Sequence, residues 1–168
     1  LGTGVGGGFF WKGKLERGYK GNFFEVGHIP IGAMEANSRV CGCGSRGCLE
    51  AYASATGISA SYREATGKNL SAKEIADSAR LNDIHAQRAY NLAGKTLGLA
   101  CATITQTLNS TEFIFTGGVA HAEDLLFPEI IKEYKAHTFP LFHSLVKIAF
   151  TRGDENSGIL GAAALLLE

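Results

Sequence analysis

Three of the chain's four cysteines fall within eight residues, in the stretch 41-CGCGSRGC-48. No other feature restricts the fold as much. Sulfurs this close in sequence share an ion, join in pairs or sit reduced side by side. A disulfide between Cys41 and Cys43 would close a very small, strained ring. The redox spacing C-x-x-C is absent. A zinc ion wants four tetrahedral nitrogen or sulfur ligands. Three thiolates are local, and His28 in 25-EVGH-28 lies upstream across one loop. Gly42, Gly44 and Gly47 allow the tight turns that wrap a small ion. The spacing therefore predicts a zinc loop with His28, Cys41, Cys43 and Cys48 as ligands. The alternative is three reduced, partly buried cysteines without an ion.

The remaining bulk properties narrow the function classes. A chain of 168 residues is long enough for one domain with its own core. Sixteen Lys and Arg balance sixteen Asp and Glu, which leaves no electrostatic footprint for nucleic acid or an anionic membrane. No apolar run approaches the ~18 residues that span a bilayer. No basic-then-apolar leader opens the chain, so a cytoplasmic protein is expected. Leu1 leads directly into a glycine-rich motif, as in a fragment of a longer chain. The glycines cluster at 2–8, 42–47, 117–118 and 158–161, where backbone can approach a ligand or take positive φ.

Pattern and punctuation give the elements. Residues 4–11 and 14–17 read as strands around a Lys12-Gly13 turn. Residues 18–30 run through a loop into a short strand, and 31–48 form the cysteine loop. A helix begins near Leu49 and continues through residue 65, weakened at Gly57. Ser71 and Glu74 have capping-box spacing before a short helix. Residues 83–108 make the longest helical segment, and 112–116 a buried strand ending at Gly117-Gly118. Residues 122–136 read as helix, 145–150 as strand and 157–167 as an apolar helix. This order predicts an α/β chain with a mixed sheet flanked by helices.

Taken together, 1-LGTGVGGGF-9, 25-EVGH-28, 41-CGCGSRGCLE-50, 116-TGGV-119 and 158-GILGAA-163 resemble the ROK family of sugar kinases and repressors. The resemblance spans nearly the whole chain. It implies the carboxy-terminal lobe of a ribonuclease-H-like, actin-like ATPase fold carrying a zinc loop, residues 1–168 being that lobe. It implies a homodimer that binds a hexose and Mg·ATP. Glu25, His28 and Glu50 then match residues that contact sugar hydroxyls, which carboxylates can accept from. Glu50 also reads as an acid favoured at a helix start. Gly2, Thr3, Gly4 and Gly6 match a loop whose amides cradle nucleotide phosphates. Thr116, Gly117 and Gly118 match the turn that meets adenosine.

Two features depart from simple expectation. The family places a small residue before the glutamate of E-x-G-H, and here it is Phe24. The family's catalytic aspartate lies upstream of GTGxGGG, outside these residues. Asp83, Asp124 and Asp154 read instead as helix-start or loop acids. The stretch 94-GKT-96 imitates the end of a P-loop, but it lies inside a helix rather than after a strand. The leading expectation is part of an ATP-dependent hexose kinase of glucokinase type, with N-acetylhexosamine or fructose as other substrates. The fragment by itself is expected to be inactive. The alternatives are the ligand-binding domain of a ROK repressor lacking its helix-turn-helix, which would itself contact no DNA, and a noncatalytic zinc-stabilised interaction domain.

Overall fold

The computed structural model describes residues 1–32 and 37–151. The elements are β1 (Phe10–Trp11), β2 (Lys14–Leu15), α1 (Glu50–Ala53), α2 (Ala55–Thr66), α3 (Ala72–Arg80), α4 (Ile84–Leu108), β3 (Glu112–Phe115), α5 (Glu123–Ala136), α6 (Pro140–His143) and β4 (Lys147–Phe150). Single 3-10 turns stand at Tyr19–Gly21, Val26–His28 and Gly118–Ala122. The expected helix at 157–167, the motif at 158–163 and Asp154 lie outside the described residues.

The helical half is built around α4. Asp83 caps it by accepting hydrogen bonds from the His85 and Ala86 amides, and Asn109 closes it in the left-handed conformation. Its small residues decide how closely neighbours approach. A Cβ on Gly94 would stand 2.9 Å from the Leu126 carbonyl oxygen, and one on Gly98 2.6 Å from that of Ile130. Glycine at both positions lets α5 lie directly on α4. The GKT stretch is thus ordinary helix, and the Thr96 hydroxyl bonds back to the Leu92 and Ala93 carbonyls. Ala86, Ala93, Ile58, Ile75, Leu126 and Ile130 are sealed from solvent in one core shared by α2, α3, α4 and α5. The capping box at Ser71 and Glu74 forms as its spacing predicts.

The expected helix from Leu49 is broken. The chain turns extended at Ser54, whose side chain then accepts from the Gly57 amide and starts α2. Gly57 is needed for close approach: a Cβ there would meet the Ala51 carbonyl at 2.8 Å.

The β half also differs from expectation. The described strands form two two-stranded sheets, β1–β2 antiparallel and β3–β4 parallel, rather than one mixed sheet. Lys12 and Gly13 both take positive φ, as the two-residue hairpin requires. Only Phe10 and Trp11 of the expected strand 4–11 enter a ladder. A largely apolar groove of about 600 Å³ separates residues 5–11 from residues 110–116, with Leu97, Ala100, Cys101 and Ile104 of α4 lining it. The two sheets therefore stay apart. The short strand expected at the end of 18–30 does not form: after Phe24, at positive φ, Val26–His28 folds as a 3-10 turn, and only Pro30 pairs, in an isolated bridge with Cys48.

Candidate functional site

The cysteine loop is a hairpin closed on itself. The Cys41 amide donates to the Ser45 carbonyl at 2.7 Å, and that of Gly44 to the Cys41 carbonyl at 2.9 Å. Val40 and Arg46 form a bridge across the base. Gly44 and Gly47 take φ of 90° and 73°, the left-handed turns that a side chain would resist. The Leu49 amide donates to the Ile29 carbonyl and that of Gly32 to the Gly47 carbonyl, both at 2.9 Å. This pairing lays residues 29–32 against 47–49 and brings His28 to the cysteines.

The four potential ligand atoms of His28, Cys41, Cys43 and Cys48 all lie within 4.8 Å of one another. Cys41 Sγ is 3.8 Å from His28 Nδ1, and Cys43 Sγ is 3.7 Å from Cys48 Sγ. Sulfurs at about 2.3 Å from a tetrahedral zinc stand about 3.7 Å apart. The donor set and its spacing fit that ion. All four cysteines are free thiols. The Ser45 backbone amide, helped by Cys41, draws the exposed Cys43 thiol down to about 7. Burial, reinforced by Cys43 and Cys41, pushes Cys48 up to about 12. A cation among them would favour the thiolate at each. Cys101 stands apart in α4, packed with Tyr134, and burial raises its thiol to about 12.

Arg39 fastens this loop to the helices, a role that its sequence position does not advertise. Its guanidinium donates to the Ala51 and Gly57 carbonyls, to Ser61 Oγ and to Glu64, and lies 5.0 Å over the Tyr52 ring. The contacts join Arg39, two residues before Cys41, to α1 and α2 at once.

The glycine loop lies between two other groups of candidate residues. On one side the Leu1 nitrogen donates to the Thr116 carbonyl at 2.7 Å, and the Val119 amide to the Leu1 carbonyl at 3.1 Å. Gly117, with φ of 96°, leaves no room for a Cβ against Leu1. On the other side the Val5 amide donates to Glu50 Oε2 at 2.9 Å. Glu50 Oε1 is 3.9 Å from Cys41 Sγ, so this carboxylate stands between glycine loop and cysteine loop. The Gly2 carbonyl accepts from the Ala55 amide and the Thr3 carbonyl from the Thr56 hydroxyl. Among the described residues, no acceptor engages the amides of Thr3, Gly4 or Gly6. Those donors remain available to a ligand.

Glu25 and His28 are exposed at the two ends of the turn that carries the E-x-G-H motif. Gly27 between them is buried, and a Cβ on it would run into the Val5 carbonyl oxygen. Phe24 takes φ of 68°, unusual for a residue with a side chain. Its ring packs on Phe9 and Phe23 with centroids 5.5 and 6.1 Å away, and closes over Gly7. The ring is therefore tied into the aromatic cluster of the glycine strand. Of the acids set aside, Asp83 caps α4 and Asp124 pairs with Arg80.

The ROK family model matches residues 1–168. A glucokinase of Thermotoga maritima is 34% identical over 182 residues, covering 100% of this chain and 56% of that protein. A xylose repressor of Bacillus spizizenii is 29% identical, covering 100% of the chain and 43% of the repressor. A ROK family glucokinase from Streptomyces griseus, solved with glucose and AMPPNP, superposes with a TM-score of 0.82 at 27% identity, covering 98% of this chain and 58% of that one. The chain thus spans about half the length of the curated relatives it matches.

Proposed function

The chain belongs to the ROK family, and on that premise we propose that it is the carboxy-terminal lobe of an ATP-dependent kinase that phosphorylates a hexose. One observation carries this reading. The glycine loop is bonded on one side to the Thr116-Gly117-Gly118 turn and on the other to Glu50, beside the His28 and cysteine cluster. This adjacency supports a reading in which a nucleotide edge and a sugar edge meet across a single loop.

In this reading Glu25, His28 and Glu50 face the sugar, and the two carboxylates accept hydrogen bonds from its hydroxyls. The amides of Thr3, Gly4 and Gly6 and the Thr3 hydroxyl donate to nucleotide phosphate oxygens. The turn at Thr116, Gly117 and Gly118 lies flat against the adenosine. His28, Cys41, Cys43 and Cys48 hold zinc, which supplies a fixed geometry to the sugar edge rather than reaction chemistry. Phosphoryl transfer depends on positioning and charge stabilisation. The proton of the attacking hydroxyl goes to an aspartate of the partner lobe, since each described aspartate is engaged: Asp77 with Lys73 and Arg80, Asp83 with Tyr62, and Asp124 with Arg80. Four reduced thiols and a requirement for ATP fit a cytoplasmic enzyme, which we take to work as a homodimer.

The likeness to a xylose repressor supports a second reading, in which the same edge binds a sugar as effector. Calorimetric titration of the longer protein with glucose, N-acetylglucosamine, N-acetylmannosamine and fructose, with and without Mg·AMPPNP, separates the two. Tight sugar binding together with Mg·AMPPNP binding, and phosphorylation of that sugar when Mg·ATP replaces the analogue in a coupled assay, supports the kinase. Sugar binding without any nucleotide affinity overturns it in favour of the repressor.

A further inference from the structure

We infer that Glu50 is a positioning residue for the glycine loop: its carboxylate holds the Val5 amide and thereby sets the path of residues 2–6. The bond joins groups 45 positions apart and is 2.9 Å long. The surrounding backbone is shaped to admit it. A Cβ on Gly4 would collide with Glu50 Oε2, so glycine at position 4 lets the carboxylate reach the next amide. On the opposite side, Gly27 gives the Val5 carbonyl the space it occupies. Both polar atoms of Val5 are thus fitted between the start of α1 and the E-x-G-H turn, and Val5 itself is buried.

A plain helix-start role does not account for this geometry. Helix α1 is four residues long, and no side chain caps its first turn. The Glu50 carboxylate instead leaves its helix and crosses to another segment. It is anchored two residues beyond Cys48, at the end of the cysteine loop. Only Oε2 is taken by Val5; Oε1 stands toward Cys41. A charged acceptor on a half-buried amide is among the stronger protein hydrogen bonds. Its loss removes the bond that fixes Val5 in a loop otherwise held through the Gly2 and Thr3 carbonyls, whose Thr3, Gly4 and Gly6 amides have no partner among the described residues.

The decisive measurement is amide hydrogen exchange on the ¹⁵N-labelled chain with its metal bound. In Glu50→Ala, the Val5 amide exchanges about tenfold faster or more than in the parent. Ala93 and Leu97 in α4 keep their protection. Glu50→Gln retains an oxygen acceptor and recovers part of the Val5 protection, while Glu50→Asp, one methylene short, recovers less. Unchanged Val5 exchange in Glu50→Ala overturns the inference. Should that variant fail to fold, equal Val5 exchange in Glu50→Gln, Glu50→Asp and the parent overturns it equally well.

A kinetic arm rests on the kinase reading. In the longer enzyme, Glu50→Ala raises KM for Mg·ATP at saturating hexose, as well as KM for the sugar. A raised sugar KM with an unmoved ATP KM confines Glu50 to the sugar and overturns the positioning role. If the longer protein phosphorylates no hexose, the kinase reading falls and the exchange comparison alone decides.

Discussion

Cys43 Sγ and Cys48 Sγ stand 3.7 Å apart, unbonded, one exposed and the other buried. That separation is far too long for a disulfide and close to the edge of a zinc–thiolate tetrahedron. With Cys41 and His28 it makes a group of four donors that could hold one ion.

Purified protein should therefore contain about one zinc per chain by elemental analysis. Cys48→Ala should lose the metal and melt at a much lower temperature, because zinc binding is coupled to folding. Cys101→Ala should keep its zinc. A metal-free parent, or one that loses zinc with Cys101, contradicts the assignment.

Glu25 lies exposed at the start of the turn that ends at His28, and in the proposed reading it accepts from a sugar hydroxyl. In the longer protein, Glu25→Gln should weaken hexose binding about tenfold or more, the effect of losing a charged acceptor. Nucleotide affinity should not change. Calorimetry with one sugar and with Mg·AMPPNP reads both quantities.

Gly98→Ala tests the contact between α4 and α5. Alanine favours helix by up to about 1 kcal/mol. Against this, the new methyl would stand 2.6 Å from a backbone carbonyl oxygen and 2.8 Å from Glu133 Cβ, neither of which yields easily. Overpacking of this kind costs about 1–3 kcal/mol, so the clash wins. Urea denaturation should show a lowered midpoint with little change in slope.

Asp83 gives a pH signature. The Tyr62 hydroxyl, then the Ala86 and His85 amides, hold its carboxyl below the usual 3.8. A depressed carboxyl adds stability above the unfolded-state value, and that stability is lost as pH falls through the folded-state value. Asp83→Ala should thus melt below the parent at neutral pH. The gap should persist down to about pH 4 and close below it. A constant gap from pH 7 to pH 3 would mean that the cap works without its charge.

The 168-residue chain should give only background signal in a coupled assay with Mg·ATP and glucose, mannose or N-acetyl sugars, while the longer protein turns over at least one of them. The described aspartates are occupied in caps and ion pairs, so none can serve as base without breaking a contact. Turnover by the isolated chain would relocate the base to within it.

Features set by near neighbours were legible in the sequence. The clustered cysteines are a few residues apart, the Ser71–Glu74 box spans one turn, and Lys12-Gly13 is a self-contained hairpin turn. The long helix could be read because its apolar and small residues recur along one element. Distant pairings could not be read. Nothing near Val5 announces a carboxylate 45 positions away, and nothing near Arg39 announces its acceptors in α1 and α2. The break at Ser54 was hidden for a similar reason: its local sequence favours helix, but the cap on Gly57 and the packing of that glycine on Ala51 favour a bend. The loop punctuated by Gly18 and Gly21 was legible, but the loss of the short strand expected after it was not: Phe24 takes positive φ without a local signal, and Val26–His28 folds as a 3-10 turn.

The glycine-mediated contact of α4 with α5 packs the helices closely on one another, whereas the loops at the candidate site are tied down by one arginine, one glutamate and a few backbone bonds and, in the proposed reading, by one ion. A preparation stripped of its ion by a chelator or an affinity column would keep those helices. Far-UV circular dichroism would score it as folded while the proposed sugar edge had come apart. A negative ligand screen on such material would describe the purification, not the protein's specificity. Metal content is the first number to attach to every batch.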